Sequence, residues 1–258
     1  MPSAADFFTG SESTVFRSLV DGRRRVAARV FSGLGVWQLD RAEQKHELKG
    51  IYLKRSSLSP LEPEDFDRWE DGALVAWRRV RARGHYDPRV TVLLDNQIVH
   101  GIPGYFVLTP FRVEPRGPWV LVNRGWIPLQ GDRYWVPRIV TEEGATEITG
   151  LARPPYRSGI TLGKDEPERL SATVWRVLIL DPERLAGDVK HRLLPFVIEL
   201  DPAVSSGYRR EWRIPGTGEE RHVAYAVQWF AFAAVVLALC LRSCSIRRKG
   251  TEQLDKPR

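Results

Sequence analysis

VAYAVQWFAFAAVVLALCL, Val223 to Leu241, runs for nineteen residues without a charge, behind Arg221 and His222 and ahead of Arg242, Arg247, Arg248 and Lys249. At about 1.5 Å per residue a helix over this run reaches roughly 28 Å, close to the roughly 30 Å hydrocarbon core of a bilayer. The stretch therefore predicts a transmembrane helix over 221–243. The basic residues behind it mark the cytoplasmic side, leaving the preceding soluble residues facing outward and 244–258 as a cytoplasmic basic tail. Tyr225 and Trp229 fall near the outer interface, where amphipathic rings are favoured.

Upstream, residues 1–22 are polar and read as a disordered N-terminus. From 23 to 39 a modestly apolar stretch follows Arg23, Arg24 and Arg25 and is interrupted by Arg29. Its uninterrupted part, Val30 to Leu39, would reach only about 15 Å as a helix. Val26, Val30, Leu34 and Trp37 share one helical stripe and Arg25 and Arg29 another, which describes an interfacial or degenerate first membrane helix. Residues 40–220 form the outward-facing body. Asp40 to Leu48 is expected to continue as a polar helix to Gly50, and a short acidic helix is expected around Glu64 to Glu70.

Beyond these the pattern changes to strands. Ala73 to Arg83, Val90 to Asp95, Tyr105 to Val113, Trp119 to Asn123, Thr146 to Ala152, Val174 to Leu180 and Phe196 to Leu200 are rich in β-branched and aromatic residues and separated by turn chemistry. Asp95, Asn96 and Gln97 read as a hairpin corner. A helix is expected over Pro182 to Asp188, with Asp181 as its N-cap. The fold class is α+β: a β-rich, mostly antiparallel sheet or partial barrel, with a C-terminal transmembrane helix and a degenerate N-terminal membrane segment.

The formal charge of +7 is spread along the chain, with Arg78, Arg79, Arg81 and Arg83 alternating in a strand, so it lacks the clustered stripe that nucleic acid requires. Membrane lipid or an acidic partner suits it better. The two cysteines, Cys240 and Cys244, sit at the inner end of the helix, and the outward body has no thiol for a disulfide or a soft metal.

No enzymatic constellation is evident. The five histidines are scattered, with no metal-ligand spacing, and there is no nucleophile elbow, phosphate loop or dinucleotide fingerprint. A membrane-anchored hydrolase is therefore the weakest alternative. Gly104 and Tyr105, and the run Asn123, Arg124, Gly125 and Trp126 at a strand end, are read as partner-positioning or structural residues. His222 is the sharpest single position. On a 3.6-residue helix Tyr225, Ala226, Trp229 and Ala233 share its face, which can take a flat macrocycle, with His222 as an axial nitrogen to iron and the alanines leaving room for the ring. The bland reading is a polar interfacial residue bonded to headgroups or water.

An ordered series of strings carries a resemblance: GVWQLDRAEQK at 35–45, LDNQ at 94–97, GY at 104–105 with LTPF at 108–111, and LVNRGWIP at 121–128. EW at 211–212 and RH at 221–222 with YAVQWF at 225–230 close it. Over roughly residues 33 to 248 the chain resembles the surfeit locus protein family of cytochrome c oxidase assembly factors, bacterial type. The resemblance implies two membrane helices flanking an outward domain in the bacterial cytoplasmic membrane. It also implies a non-enzymatic role in respiratory-chain biogenesis, with the oxidase catalytic subunit and heme a synthase as partners. Bacterial members are similar to heme a carriers, and the family histidine at the start of the second helix, implicated in heme binding, matches His222; on the helical face read above, Tyr225 and Trp229 would line the ring. The alternative on the same resemblance is a cofactor-free membrane scaffold for oxidase assembly.

Overall fold

The computed structural model describes residues 5–65, 69–115, 117–131, 135–156 and 166–254. The chain divides into a helical unit, residues 1–49 with 215–258, and a β-rich unit, Gly50–Ile214.

The helical unit joins the greater part of α1 (Ala5–Ser56) to α4 (Glu219–Leu254). Among the described residues one helix is long and apolar enough to cross a membrane, Glu219–Ser243, with a mean hydropathy of 2.1. The two helices run antiparallel. Arg24 donates to the Ser243 hydroxyl at 2.8 Å, Phe31 stacks on Trp229 at 5.7 Å, and Lys49 meets Glu219 at 3.2 Å, so rising numbers on one helix meet falling numbers on the other. The covered positions explain the pairing. On α4 they are His222, Ala226, Trp229, Ala233, Val236, Cys240 and Ser243, and on α1 they include Arg24, Ala28, Phe31, Gly35, Gln38, Ala42, Lys45 and Lys49. Both series alternate steps of four and three, the 3.5-residue repeat that keeps one seam facing its partner. Ala226, Ala233 and Cys240 recur every seventh residue and are buried, and small side chains at such a seam let backbones approach closely.

The first membrane segment, expected over 23–39, thus lies within one continuous helix. Arg25 and Arg29 sit on its exposed side, and Val26, Val30, Val36 and Trp37 are exposed beside them. Two boundaries differ from expectation. Residues 1–22 read as disordered, yet the backbone is helical from Ala5, because extending an existing helix avoids the cost of nucleation. Gly50 does not end α1, since its helix penalty of about 1 kcal/mol is spread over a long helix and Arg55 donates to the Ala73 carbonyl at 3.0 Å. The helical unit therefore takes residues 40–49 from the expected body, and α4 continues helically past 243 to Leu254.

The β-rich unit is an eight-stranded sheet in the order β1-β5-β8-β4-β3-β2-β7-β6, with β1 also pairing β3. The strands are β1 (Arg79–Tyr86), β2 (Thr91–Val99), β3 (Ile102–Val113), β4 (Trp119–Pro128), β5 (Thr146–Arg153), β6 (Glu168–Arg169), β7 (Val174–Val177) and β8 (Leu193–Leu200). The β1–β3 pairing closes β1, β5, β8, β4 and β3 into a ring, so the sheet is barrel-like with β2, β7 and β6 as an extension. Pairing is mostly antiparallel, with β4–β8 and β2–β7 parallel.

Alternation places the core. β1 buries Val80, Ala82 and Tyr86 and turns Arg79, Arg81 and Arg83 outward, where they pair with Asp201, Glu147 and Glu114. Part of the positive charge thus lies on a solvated strand face. β4 is buried on both sides: Val120 and Val122 join Phe111, Phe196 and Ile198 in one cluster, while Leu121 joins Leu108, Val197 and Leu185 in another. Leu185 belongs to α3 (Pro182–Val189), whose N-cap Asp181 accepts from the Glu183 and Arg184 amides, as the sequence predicted.

Other expected elements shift. Ala73 to Arg83 is not all strand: Asp71 caps a short helix, α2 (Gly72–Val75), by accepting from the Ala73 and Leu74 amides, and β1 begins at Arg79. Of the expected acidic helix, Pro63–Asp65 is a 3-10 turn and Trp69 is helical, while residues 66–68 lie outside the described residues. Asp95 to Gln97 is a bulge within β2, with Asn96 at φ 59, rather than a hairpin corner. The reversal comes later, at His100 and Gly101.

Candidate functional site

His222 stands on the seam of the helical unit, half-buried, with its Nδ1 2.7 Å from Oε1 of Gln38. One turn earlier on α4, Glu219 is already engaged by His46 at 3.0 Å and Lys49 at 3.2 Å. The imidazole therefore faces a neutral amide. An amide oxygen only accepts, so Nδ1–H is the donor in this bond and Nε2 takes no part in it.

The structure does not bring the whole expected face together. Ala226 is fully buried and Ala233 nearly so, and both lie on the stripe that α1 covers. They admit the partner helix and leave no room there for a ring, because a helix seam with small residues packs backbone to backbone. Trp229 packs against Phe31 and, at 5.8 Å, Phe232, closing an aromatic cluster within the hairpin. Tyr225 is half exposed on the flank of α4. Of the expected trio, Tyr225 is exposed, His222 is half-buried on the seam and Trp229 packs within the hairpin.

The other motif residues lie in the β-rich unit and are built into its walls. A Cβ at Gly104 would meet the Trp126 ring at 2.6 Å and collide with the Ile127 carbonyl, so only glycine lets β3 approach β4 here. Tyr105 is buried with Leu93, Val107 and Val174. Trp126 donates from its indole to the Gln97 carbonyl at 2.9 Å, across the β2 bulge. Gly125 adopts φ 125 against the Tyr208 backbone. Arg124, almost fully buried, lies between the rings of Tyr86 and Tyr208 at 5.2 and 5.5 Å and donates to the Val140 carbonyl at 2.9 Å. Asn123 is fully buried, accepting from the Gly125 amide at 3.1 Å and donating to the Tyr156 hydroxyl at 2.8 Å. Tyr156 in turn donates to Glu199 at 2.6 Å, and Arg153 donates to the same carboxylate oxygen at 2.6 Å. Burial, and then the Glu199 charge, pushes the Tyr156 phenol well above its ordinary pKa, so it stays a donor.

Sequence reasoning did not join Gln38 to His222, although both sit in the 3-4 repeat of their helices. A second pair has no local signal at all. His191 Nε2 lies 2.7 Å from Asp87 Oδ2 across 104 residues, and its ring stacks on Trp119 at 3.9 Å. Burial would raise the Asp87 carboxyl, but hydrogen bonds from the Arg89 side chain and amide and from His191 lower it to about 2. Among the described residues no group of three or more His, Cys, Asp or Glu side chains is placed to hold a metal ion.

The family model described as SURF1 family matches residues 26–234. A SURF1-like protein of Monosiga brevicollis is 25% identical over 232 residues, covering 84% of each chain. An uncharacterized SURF1-like protein of Mycobacterium tuberculosis is 29% identical over 215 residues, 78% of this chain and 73% of its own. The cytochrome oxidase assembly protein SHY1 of Saccharomyces cerevisiae is 28% identical over 163 residues, 60% of this chain and 40% of its own.

Proposed function

The chain belongs to the SURF1 family, and from that premise we propose that it is a membrane-anchored, non-catalytic assembly factor for a heme-copper terminal oxidase. In this reading it takes heme a as cargo at His222 and passes it to the oxidase catalytic subunit. The observation that carries the reading is the imidazole of His222, held by Gln38 where the apolar run of α4 begins, with Nε2 unengaged by that bond. A neutral imidazole nitrogen is the donor that heme iron takes as an axial ligand. Tyr225, half exposed one turn along the helix, supplies an aromatic edge for the ring. Trp229 holds the hairpin through Phe31 and so supports His222 from behind.

The donor set fits a transferable cargo. One half-buried imidazole at the edge of the seam offers ligation without enclosure, so the ring can leave to a partner. In the same reading α1 and α4 cross the cytoplasmic membrane as one hairpin. Gln38 pairing with His222, and Arg24 with Ser243, set the two ends of α1's 23–39 segment level with the two ends of the α4 span. The basic end of α4 then faces the cytoplasm, and the β-rich unit lies outside, where it meets the oxidase and, if cargo is passed directly, heme a synthase.

A second reading, a cofactor-free scaffold, is favoured by one observation: the alanine stripe expected to admit the ring is covered by α1. One experiment separates the two. Full-length protein purified in detergent from cells making heme a is examined by visible spectroscopy beside His222→Ala, and each is assayed for restoring oxidase assembly in a deletion strain. The carrier reading expects a heme a spectrum that His222→Ala loses together with assembly. Full assembly by a His222→Ala protein without heme supports the scaffold.

A further inference from the structure

We infer that Gln38 is a positioning residue for His222: it fixes the proton on Nδ1 and so leaves Nε2, with its lone pair, for a ligand. The inference rests on the carrier reading for its purpose, but its physical content stands on the geometry. The Gln38 oxygen and His222 Nδ1 are 2.7 Å apart, a short, well-formed hydrogen bond. A ring nitrogen that donates to a carbonyl-type oxygen is the common outer partner of a metal-binding histidine, because it fixes both ring rotation and tautomer.

The seam makes this pairing specific. Gln38 lies three residues after Gly35, which abuts the Phe230 ring, and four before Ala42, which is buried. His222 lies four residues before Ala226, which is fully buried. These small residues fix the separation and rotation of the two helices at the turns flanking the pair, so the amide is delivered to the imidazole by packing on either side. The carboxylate one turn away, Glu219, is held by His46 and Lys49. A carboxylate at the Gln38 position would make the imidazole a stronger, less readily released ligand; a neutral amide orients it without that gain in basicity. Orientation without tight retention is what a carrier requires.

The tautomer is read directly, without cargo, by nitrogen-15 NMR of full-length, histidine-labelled protein in detergent micelles, with the His222 signals identified by their loss in His222→Gln. Histidine in water favours the proton on Nε2. The inference expects the proton on Nδ1 of His222 in the wild type and a shift toward Nε2 in Gln38→Leu, with helix content unchanged by circular dichroism. A proton on Nε2 in the wild type, or a tautomer unmoved by Gln38→Leu, overturns it. Hemin titration of the same proteins tests the purpose: Gln38→Leu is expected to weaken binding on the order of 10-fold or more, and Gln38→Glu to bind at least as tightly as wild type with a shifted Soret band. Wild-type protein that carries the proton on Nδ1 and binds no hemin supports the positioning role and overturns the carrier reading alone.

Discussion

A Cβ built on Gly35 would lie 2.7 Å from Cε1 and Cζ of the Phe230 ring, so the two helices of the hairpin meet here as closely as a hydrogen in place of a side chain allows. Gly35→Leu should force them apart, and overpacking of this kind costs about 1 to 3 kcal/mol. Gly33, two residues away, has nothing within 4 Å of a built Cβ. Gly33→Ala should therefore be neutral or favourable by up to about 1 kcal/mol, the helix preference of alanine over glycine. Unfolding in increasing SDS, followed by tryptophan fluorescence, checks both. Equal sensitivity at the two glycines would remove the seam from the account.

The buried chain from Asn123 through Tyr156 and Glu199 to Arg153 predicts unequal penalties along its length. Glu199 is almost fully buried and accepts from both Tyr156 and Arg153 through one oxygen. Arg153→Met would strand that charge, a loss of about 3 to 5 kcal/mol. Tyr156→Phe leaves the Asn123 amide and the carboxylate each short of a partner, at about 1 to 3 kcal/mol. Urea unfolding in detergent checks the order. A Tyr156→Phe protein less stable than Arg153→Met would show that the hydroxyl, rather than the ion pair, secures Glu199.

Asp87 makes stability depend on acid. Its carboxyl is lowered from 3.8 to about 2, since the bonds from Arg89 and His191 outweigh burial. A group with a depressed folded-state pKa contributes in full above its unfolded value and loses that contribution as pH falls toward the folded one. The wild type should therefore lose stability between about pH 4 and pH 2, and Asp87→Asn should be less stable near neutrality with a flatter acid limb in that window. Thermal midpoints across that range measure it. Parallel acid limbs for the two proteins would assign the loss to other carboxylates.

What the sequence made legible follows from how far each signal reaches. The charge-free run to Leu241 and the Asp181–Pro182 helix start are local, and both are present as read. Most strands lie near their expected places because β-branched and aromatic residues alternate along them. Asn96 misled because a left-handed residue serves a bulge as well as a turn. Ala226 and Ala233 misled for a different reason: the face of one helix does not state what covers it, and small residues suit a second backbone as well as a ring. Asp87 with His191, and Glu199 with Arg153 and Tyr156, were beyond reach because only the closed sheet brings them together. His222 was legible as a position, while its partner required the register of the hairpin.

Arg124 supplies the last test, at the centre of the Asn123 to Trp126 run. Its guanidinium lies between the Tyr86 and Tyr208 rings and donates to the Val140 carbonyl and the Thr141 hydroxyl, with almost no exposure. A planar cation with several fixed donors can stack on two rings and still bond at its edge; an ammonium cannot do both. Arg124→Lys keeps the charge and should nonetheless lose about 2 kcal/mol, the scale of a desolvated cation–ring contact. For a unit of this size that is a fall of roughly 4 to 8 °C in Tm. Differential scanning calorimetry of the full chain in detergent, watching the transition of the β-rich unit, checks it. A lysine variant with the wild-type Tm would mean that charge alone is used at this position and that the Asn123 to Trp126 run owes its place to something other than wall packing.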